Sequence, residues 1–251
     1  MSEPFLKNPI TREKFDAVLF DLDGVITATA KVHAACWKKM FDEYLEKRAK
    51  ERGEPFKPFD IENDYRLYVD GKPRFDGVRD FIRSRQIELP EGTPADAPGA
   101  ETVCGLGNRK NDLINEVIES DGVEVYEGTI DLARQLQKEG IKIAIVTSSQ
   151  NCDVVLKAAK IGDLFEVRVD GNVINEKNLS GKPAPDSYLE GAKRLGVEPK
   201  RTVVVEDAIS GVQSGRNGKF GLVIGVDRKG NADELKKNGA DVVVKDLREF
   251  L

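Results

Sequence analysis

Ala17-Val18-Leu19-Phe20 is a short, β-prone apolar run, and the chain turns acidic directly after it, at Asp21-Leu22-Asp23-Gly24-Val25-Ile26-Thr27. A run this short and apolar reads as a buried parallel strand, with both aspartates at its carboxyl end. Open α/β sheets place their ligands and chemistry at that end. Residues two apart on a strand share a side, and Gly24 then breaks the strand, so the two carboxylates can take separate tasks. One could attack and hold a cation while the other handles protons. A solvated turn would use the same residues. A calcium loop would need oxygen ligands at its fifth and twelfth positions, where Val25 and Val32 stand. The chemical reading rests on company downstream: Thr147-Ser148-Ser149, Lys182-Pro183-Ala184-Pro185-Asp186 and Glu206-Asp207, two of them directly after further apolar runs.

A chain of 251 residues can bury a sizeable core, as one large α/β domain or as a core with a smaller domain inserted. Its net charge of −5 gives no general field for nucleic acid, so local basic groups must bind any anion. Cys36, Cys104 and Cys152 are scattered and lack metal-ligand spacing, which indicates reduced thiols in a reducing compartment. Residues 1–14 have no apolar core of the signal-peptide kind, and eighteen apolar residues never run together, so no membrane partner and a cytoplasmic location are expected. With no long apolar helix face left over, a monomer is expected.

Residues 1–16 read as a loosely attached entry arm. Val32, Cys36, Met40 and Tyr44, widened by Phe41 and Leu45, mark a helix that Gly53, Pro55 and Pro58 stop. Two shorter helices between Asp60 and Arg85 flank a basic turn, Val69 to Gly77, containing Gly71, Lys72 and Arg74. Leu89 to Thr102 reads as a surface linker, and Asn108 to Asp112 opens a helix running to about Glu119. From Gly122 the pattern changes. Helices at 129–139, 153–160, 187–195 and 209–215 alternate with strands at 141–146, 202–205, 221–224 and 241–244, as βαβ units do. The expectation is a doubly wound, Rossmann-like parallel sheet built from residues 1–30 and 123–251, with a helical domain, 31–122, inserted after the first strand and joined by two hinges. Dinucleotide and P-loop patterns are missing.

In order and approximate spacing, Asp21 and Asp23, Thr147, Lys182 and Glu206-Asp207 resemble the four motifs of the haloacid dehalogenase superfamily of aspartate-nucleophile phosphotransferases. Asp21 to Thr27 followed by His33 and Trp37, the Gly71-x-x-Arg74 turn, Arg109-Lys110-Asn111-Asp112 and Lys182 to Asp186 are similar to the β-phosphoglucomutase branch, whose helical insertion is a cap. The resemblance implies a catalytic set of Asp21 as nucleophile, Asp23 as general acid and base, and Thr147 and Lys182 on the transferred phosphate. Phosphoryl transfer needs positioning and charge stabilisation, and an attacking carboxylate needs a cation to offset its repulsion from phosphate. Mg2+ suits all-oxygen donors. The implied ligands are the Asp21 carboxylate, the Asp23 main-chain carbonyl and Asp207, with Glu206 as a further acid.

On the substrate side the resemblance implies Gly71, Lys72 and Arg74 at the phosphate not being transferred, Lys110 on the sugar with His33 hydrogen-bonded near it, Trp37 at the cleft, and Ser148, Ser149, Gln150 and Asn151 after the second strand. Trp37 also reads simply as cap core. Two positions depart from the branch. Thr27-Ala28-Thr29 lacks a carboxylate where Thr-Asp-Thr is common, which should alter hinge motion and leave the chemistry intact. Gln150 stands where the best-matched mutases carry a lysine beside the distal phosphate; the missing charge would weaken the hold on a bisphosphate intermediate unless Lys72, in the neighbouring turn, replaces it. The implied function is a magnesium-dependent mutase interconverting β-glucose 1-phosphate and glucose 6-phosphate through glucose 1,6-bisphosphate. The alternatives are a sugar-phosphate phosphatase using the same nucleophile and, more remotely, a non-catalytic phosphosugar-binding protein.

Overall fold

The computed structural model of this chain describes residues 8–251. Strand β1 (Ala17–Phe20) carries four apolar side chains, none exposed, so both its faces must be covered and both its edges paired. Burying Val, Leu or Phe in such a strand contributes roughly 1.5–3 kcal/mol each. β1 lies between β2 (Lys142–Val146) and β4 (Thr202–Glu206), parallel to both. With β3 (Val167–Val169), β5 (Leu222–Val226) and β6 (Val242–Val244) the sheet runs β3-β2-β1-β4-β5-β6. This is the doubly wound order, in which the chain reverses direction across the sheet beside β1. One face holds Leu19, Val146, Val204, Tyr188, Ala192 and Phe220 in a common cluster, and Val212, Val223 and Leu235 form a second.

The chain divides into two compact units: the residues up to Ala28 with Val123–Leu251, and Thr29–Gly122. In the first, α4 (Glu127–Lys138), α5 (Cys152–Ala158), α6 (Gly171–Glu176), α7 (Asp186–Leu195), α8 (Ile209–Asn217) and α9 (Ala232–Asn238) connect the strands. The second is helical: α1 (Ala30–Arg52), a π-helical segment (Ile61–Val69), α2 (Arg74–Ser84) and α3 (Val103–Asp121). α1 ends where expected, at Gly53, whose left-handed φ of 64° lets its N–H reach the Ala49 carbonyl. The core of this unit is aromatic, with Phe41 and Phe81 at 4.2 Å and Phe59 within 5.1 Å of both rings.

Several boundaries differ from the sequence reading. Of the entry arm, residues 1–7 lie outside the described residues, while 8–16 are packed rather than loose. Ile10 and Phe15 are buried, and Arg201 grips Asp16. The turn after Val69 is shorter than expected: Gly71, at φ 72°, makes it, and Arg74 to Gly77 already form the first turn of α2 behind Pro73. α3 starts at Val103 rather than Asn108, because the Thr102 hydroxyl caps it by accepting the Gly105 N–H. β3, α6 and α9 were not expected. β3 has three residues and α6 six, too short to show a period; the Asp170 side chain starts α6 by accepting the N–H groups of Asn172 and Val173.

Candidate active site

Register alone assembles the first part of the site. Phe20 is level with Ile145 of β2 and Val205 of β4, so the next residues, Asp21, Val146 and Glu206, reach the carboxyl edge together. Asp21 stays on the sheet, its N–H donating to the Val205 carbonyl at 3.0 Å. Thr147 leaves β2 with its N–H on the Val169 carbonyl, and its hydroxyl accepts from the Ser149 N–H at 3.1 Å. The following turn holds Ser148, Ser149, Gln150 and Asn151: Ser149 Oγ accepts the Asn151 N–H, and its carbonyl accepts the Gly171 N–H. Lys182 comes from the loop before α7. That loop is tied to α8, since Ser214 donates to the Ala184 carbonyl and Asn217 to that of Pro183.

The centre of the group is buried and charged. Lys182 Nζ donates to Asp21 Oδ1 and to Glu206 Oε1, both at 2.6 Å. Glu206 Oε1 also accepts the Tyr188 hydroxyl at 2.8 Å, and its Oε2 accepts the N–H groups of Asp207 and Ala208. Burial works against the charge of Lys182, but Asp21 and Glu206 outweigh it and hold the ammonium protonated beyond the usual lysine range. Burial pushes the Asp21 carboxyl well up; Lys182 opposes this, and Glu206, Asp23 and Asp207 add to it. One ammonium at hydrogen-bond distance faces three acids, so the cluster carries excess negative charge. Lys229, 3.7 Å from Asp207 Oδ2, is the next cation.

Asp21, Glu206 and Asp207 can each bring one carboxylate oxygen to within 4.8 Å of the others, all three side chains being buried. Hard oxygen donors with surplus negative charge fit a divalent cation such as magnesium. Two glycines make the cluster possible. A Cβ on Gly24, which sits at φ 91°, would enter the Asp207 carboxylate, and a Cβ on Gly211, in the first turn of α8, would enter that of Glu206. Asp23 is not in this carboxylate group. It lies on a turn off the sheet, closed by the Gly24 N–H on the Thr27 carbonyl at 2.8 Å.

The sequence-derived residues of the helical unit form their own arrangement. Lys110 Nζ lies 2.7 Å from His33 Nδ1, and since an ammonium has only donors, Nδ1 accepts. Lys110 is also 5.2 Å from the Trp37 ring, and Trp37 is buried against Phe41. Arg74 stacks on Phe75 beside Gly107; burial lowers its pKa, with Cys104 and Asp112 opposing. The Lys72 ammonium lies 2.6 Å from Asp80, which occupies the charge proposed to replace the missing lysine at Gln150.

Three residues of the site escaped the sequence reading. Tyr188, fully buried under Lys182, reads as one more apolar position of α7. Its place one turn after the lysine loop was the available signal. Arg228 and Tyr126 lie in loops after β5 and before α4, with nothing in the sequence to join them, yet the guanidinium lies 3.5 Å over the ring.

A family model of haloacid dehalogenase-like hydrolases matches residues 15–219. The chain belongs to this family. Among its haloacid dehalogenase relatives, β-phosphoglucomutase of Mycobacterium bovis is 49% identical over 242 residues, covering 95% of this chain and 92% of that one. Hexitol phosphatase A of Escherichia coli is 40% identical over 135 residues, 54% of this chain and 60% of that one. The crystal structure of β-phosphoglucomutase from Clostridium difficile superposes with a TM-score of 0.73 at 26% identity, over 94% of this chain and 93% of that one. These likenesses put the chain in the β-phosphoglucomutase-like branch of the haloacid dehalogenase family and bear out the α/β fold. No helix among the described residues is long and apolar enough to cross a membrane.

Proposed function

We propose that this chain is a magnesium-dependent β-phosphoglucomutase, converting β-glucose 1-phosphate to glucose 6-phosphate through glucose 1,6-bisphosphate and a phosphorylated Asp21. The observation that carries this reading is the Asp21 carboxylate at the end of the central strand, 2.6 Å from the Lys182 ammonium and within 4.8 Å of two further acids. The 49% identity to a β-phosphoglucomutase along nearly the whole chain supports the substrate.

Asp21 attacks the phosphorus, held in place by its main-chain bond to β4. Lys182 balances charge on the phosphate oxygens, while Thr147 and the following N–H groups donate to them. Asp23 gives a proton to the departing sugar oxygen, and takes one from the sugar hydroxyl that attacks phospho-Asp21 in the second half-reaction. Magnesium would be held by Asp21, Asp207 and the Asp23 carbonyl, and supplies electrostatic relief of the repulsion between carboxylate and phosphate. Glu206, saturated by four protein donors, fixes Lys182 and the turn into α8. In the helical unit, taken as the cap, Arg74 holds the other phosphate as a planar fork. Lys110, oriented by His33, takes a sugar hydroxyl. The three free, buried cysteines support a reducing, cytoplasmic setting.

Phosphatase activity is the second reading, favoured by Gln150, which brings no charge to the distal phosphate. Phosphorus NMR with magnesium, β-glucose 1-phosphate and a trace of glucose 1,6-bisphosphate separates the two. Glucose 6-phosphate without inorganic phosphate is expected. Inorganic phosphate with free glucose would make the chain a phosphatase, and no turnover of any phosphate ester would overturn both.

A further inference from the structure

Asp21 and Asp23 are two residues apart but held by different parts of the fold. Asp21 is locked to β4 through its N–H, whereas Asp23 and Gly24 stand on a turn that has left the sheet. The side chain that grips this turn is Arg228, from the loop after β5. Its Nε donates to the Gly24 carbonyl at 2.8 Å, its Nη1 donates to the Lys245 carbonyl at 3.0 Å, and its plane lies 3.5 Å from the Tyr126 ring centroid. Tyr126 is itself joined to the far end of the turn, its N–H on the Ile26 carbonyl at 2.9 Å, and Thr27 bridges to Val125. One half-buried guanidinium therefore fastens the Gly24–Val25 peptide, the one after Asp23–Gly24, to three segments distant in sequence. A lysine could supply the charge but not a directed fork and a flat stacking face together.

We propose that Arg228 is a positioning residue for Asp23: by holding the Gly24 carbonyl it sets the main chain that aims the Asp23 carboxyl, without touching the reacting groups. The inference rests on the reading above, in which Asp23 transfers the proton to the sugar oxygen. A loosened turn would move Asp23 and leave Asp21, Lys182 and Glu206 on the sheet.

The leaving group separates these effects. Acetate departs from acetyl phosphate without a proton, so phosphorylation of Asp21 by acetyl phosphate does not need Asp23, whereas a departing sugar oxygen does. In Arg228→Ala at saturating magnesium, which offsets any loosening of the Asp23 carbonyl, phosphorylation by acetyl phosphate should stay within about threefold of the parent, while turnover of β-glucose 1-phosphate falls by about 10²-fold, inside the range of general acid catalysis. In an Asp23→Asn background the same substitution should add no further loss. Arg228→Lys should recover thermal stability but not turnover. Equal losses on both phosphate donors, or losses that multiply with Asp23→Asn, would reduce Arg228 to a structural tie and overturn the proposal. If Asp23→Asn alone spares turnover of the sugar phosphate, the assignment of Asp23 fails, and the inference with it.

Discussion

Lys182 and Asp21 meet at 2.6 Å, the lysine side chain 1% and the aspartate side chain 9% exposed. Glu206 takes the same ammonium from the other side, so the ion pair belongs to a buried cluster in which acids outnumber their contacting cation. Removing one partner from such a cluster costs far more than the pair itself contributes, because uncompensated charge is left in the interior. Lys182→Met should therefore destabilise the metal-free protein by about 3–5 kcal/mol in urea unfolding. Magnesium should restore part of that stability, and phosphoryl transfer should fall by at least about 10²-fold. Unchanged stability without metal would mean that the three acids do not share charge as described.

The pH dependence has a definite sign. Asp21 has its pKa raised above the ordinary 3.8, chiefly by burial, so over that window the folded state binds more protons than the unfolded state. Its contribution is present below the ordinary value and is lost as pH rises through the folded one. Metal-free protein should thus lose stability as pH climbs from about 4 towards neutrality. Asp21→Asn or magnesium should flatten this part of the profile, as unfolding curves at fixed ionic strength will show.

The proposed division of labour between the two units predicts a split in Arg74→Ala. Asp21 should still be phosphorylated by small phosphate esters, detected as one added phosphoryl group by intact-protein mass. Conversion of β-glucose 1-phosphate should drop by about 10²-fold or more with loss of a bidentate phosphate contact. Parallel loss of both activities would contradict a distal-phosphate role.

Two glycine substitutions test the crowding around the acids. Gly211→Ala replaces a helical glycine, a change that ordinarily stabilises by about 0.5–1 kcal/mol. Here the new Cβ overlaps the Glu206 carboxylate, so a loss of about 1–3 kcal/mol is expected instead. Gly24→Ala adds a left-handed φ to a clash with Asp207 and should also weaken magnesium binding by about tenfold or more, read by isothermal titration.

Cys36, Cys104 and Cys152 are all buried, and burial pushes each thiol upwards. Because the thiolate is the reactive form, iodoacetamide at pH 8 should modify the native protein more than about tenfold more slowly than the urea-unfolded chain. Rapid labelling at Cys152 would show that the turn after β2 opens readily.

Much of this was legible because strands fully buried on both faces announce themselves as apolar runs, and because Asp21, Thr147 and Glu206 directly follow such runs while Lys182 sits in a proline-marked loop. Asp21, Thr147 and Glu206 were found that way. Tyr188 was not, because its hydroxyl acts at the end of a ring that helical periodicity counts as core. Arg228 was invisible for another reason: its partners, Gly24, Tyr126 and Lys245, are main-chain carbonyls and an aromatic face, which leave no pattern in the order of side chains. The short β3 and α6 fall below the length at which any period can be counted.

The position of β1 has a consequence for how the protein is made. The strand emerges from the ribosome well ahead of its two neighbours, which begin at Lys142 and Thr202, more than a hundred residues later. At usual translation rates the strand ending in Asp21 waits roughly 10–40 s before both its edges are paired. Glu206, which locks Lys182 against Asp21, closes the second of those strands. A nascent chain therefore carries the proposed nucleophile, Asp21, long before it carries Lys182 and Glu206, and the buried charge cluster around Asp21 cannot form until β4 has been synthesised.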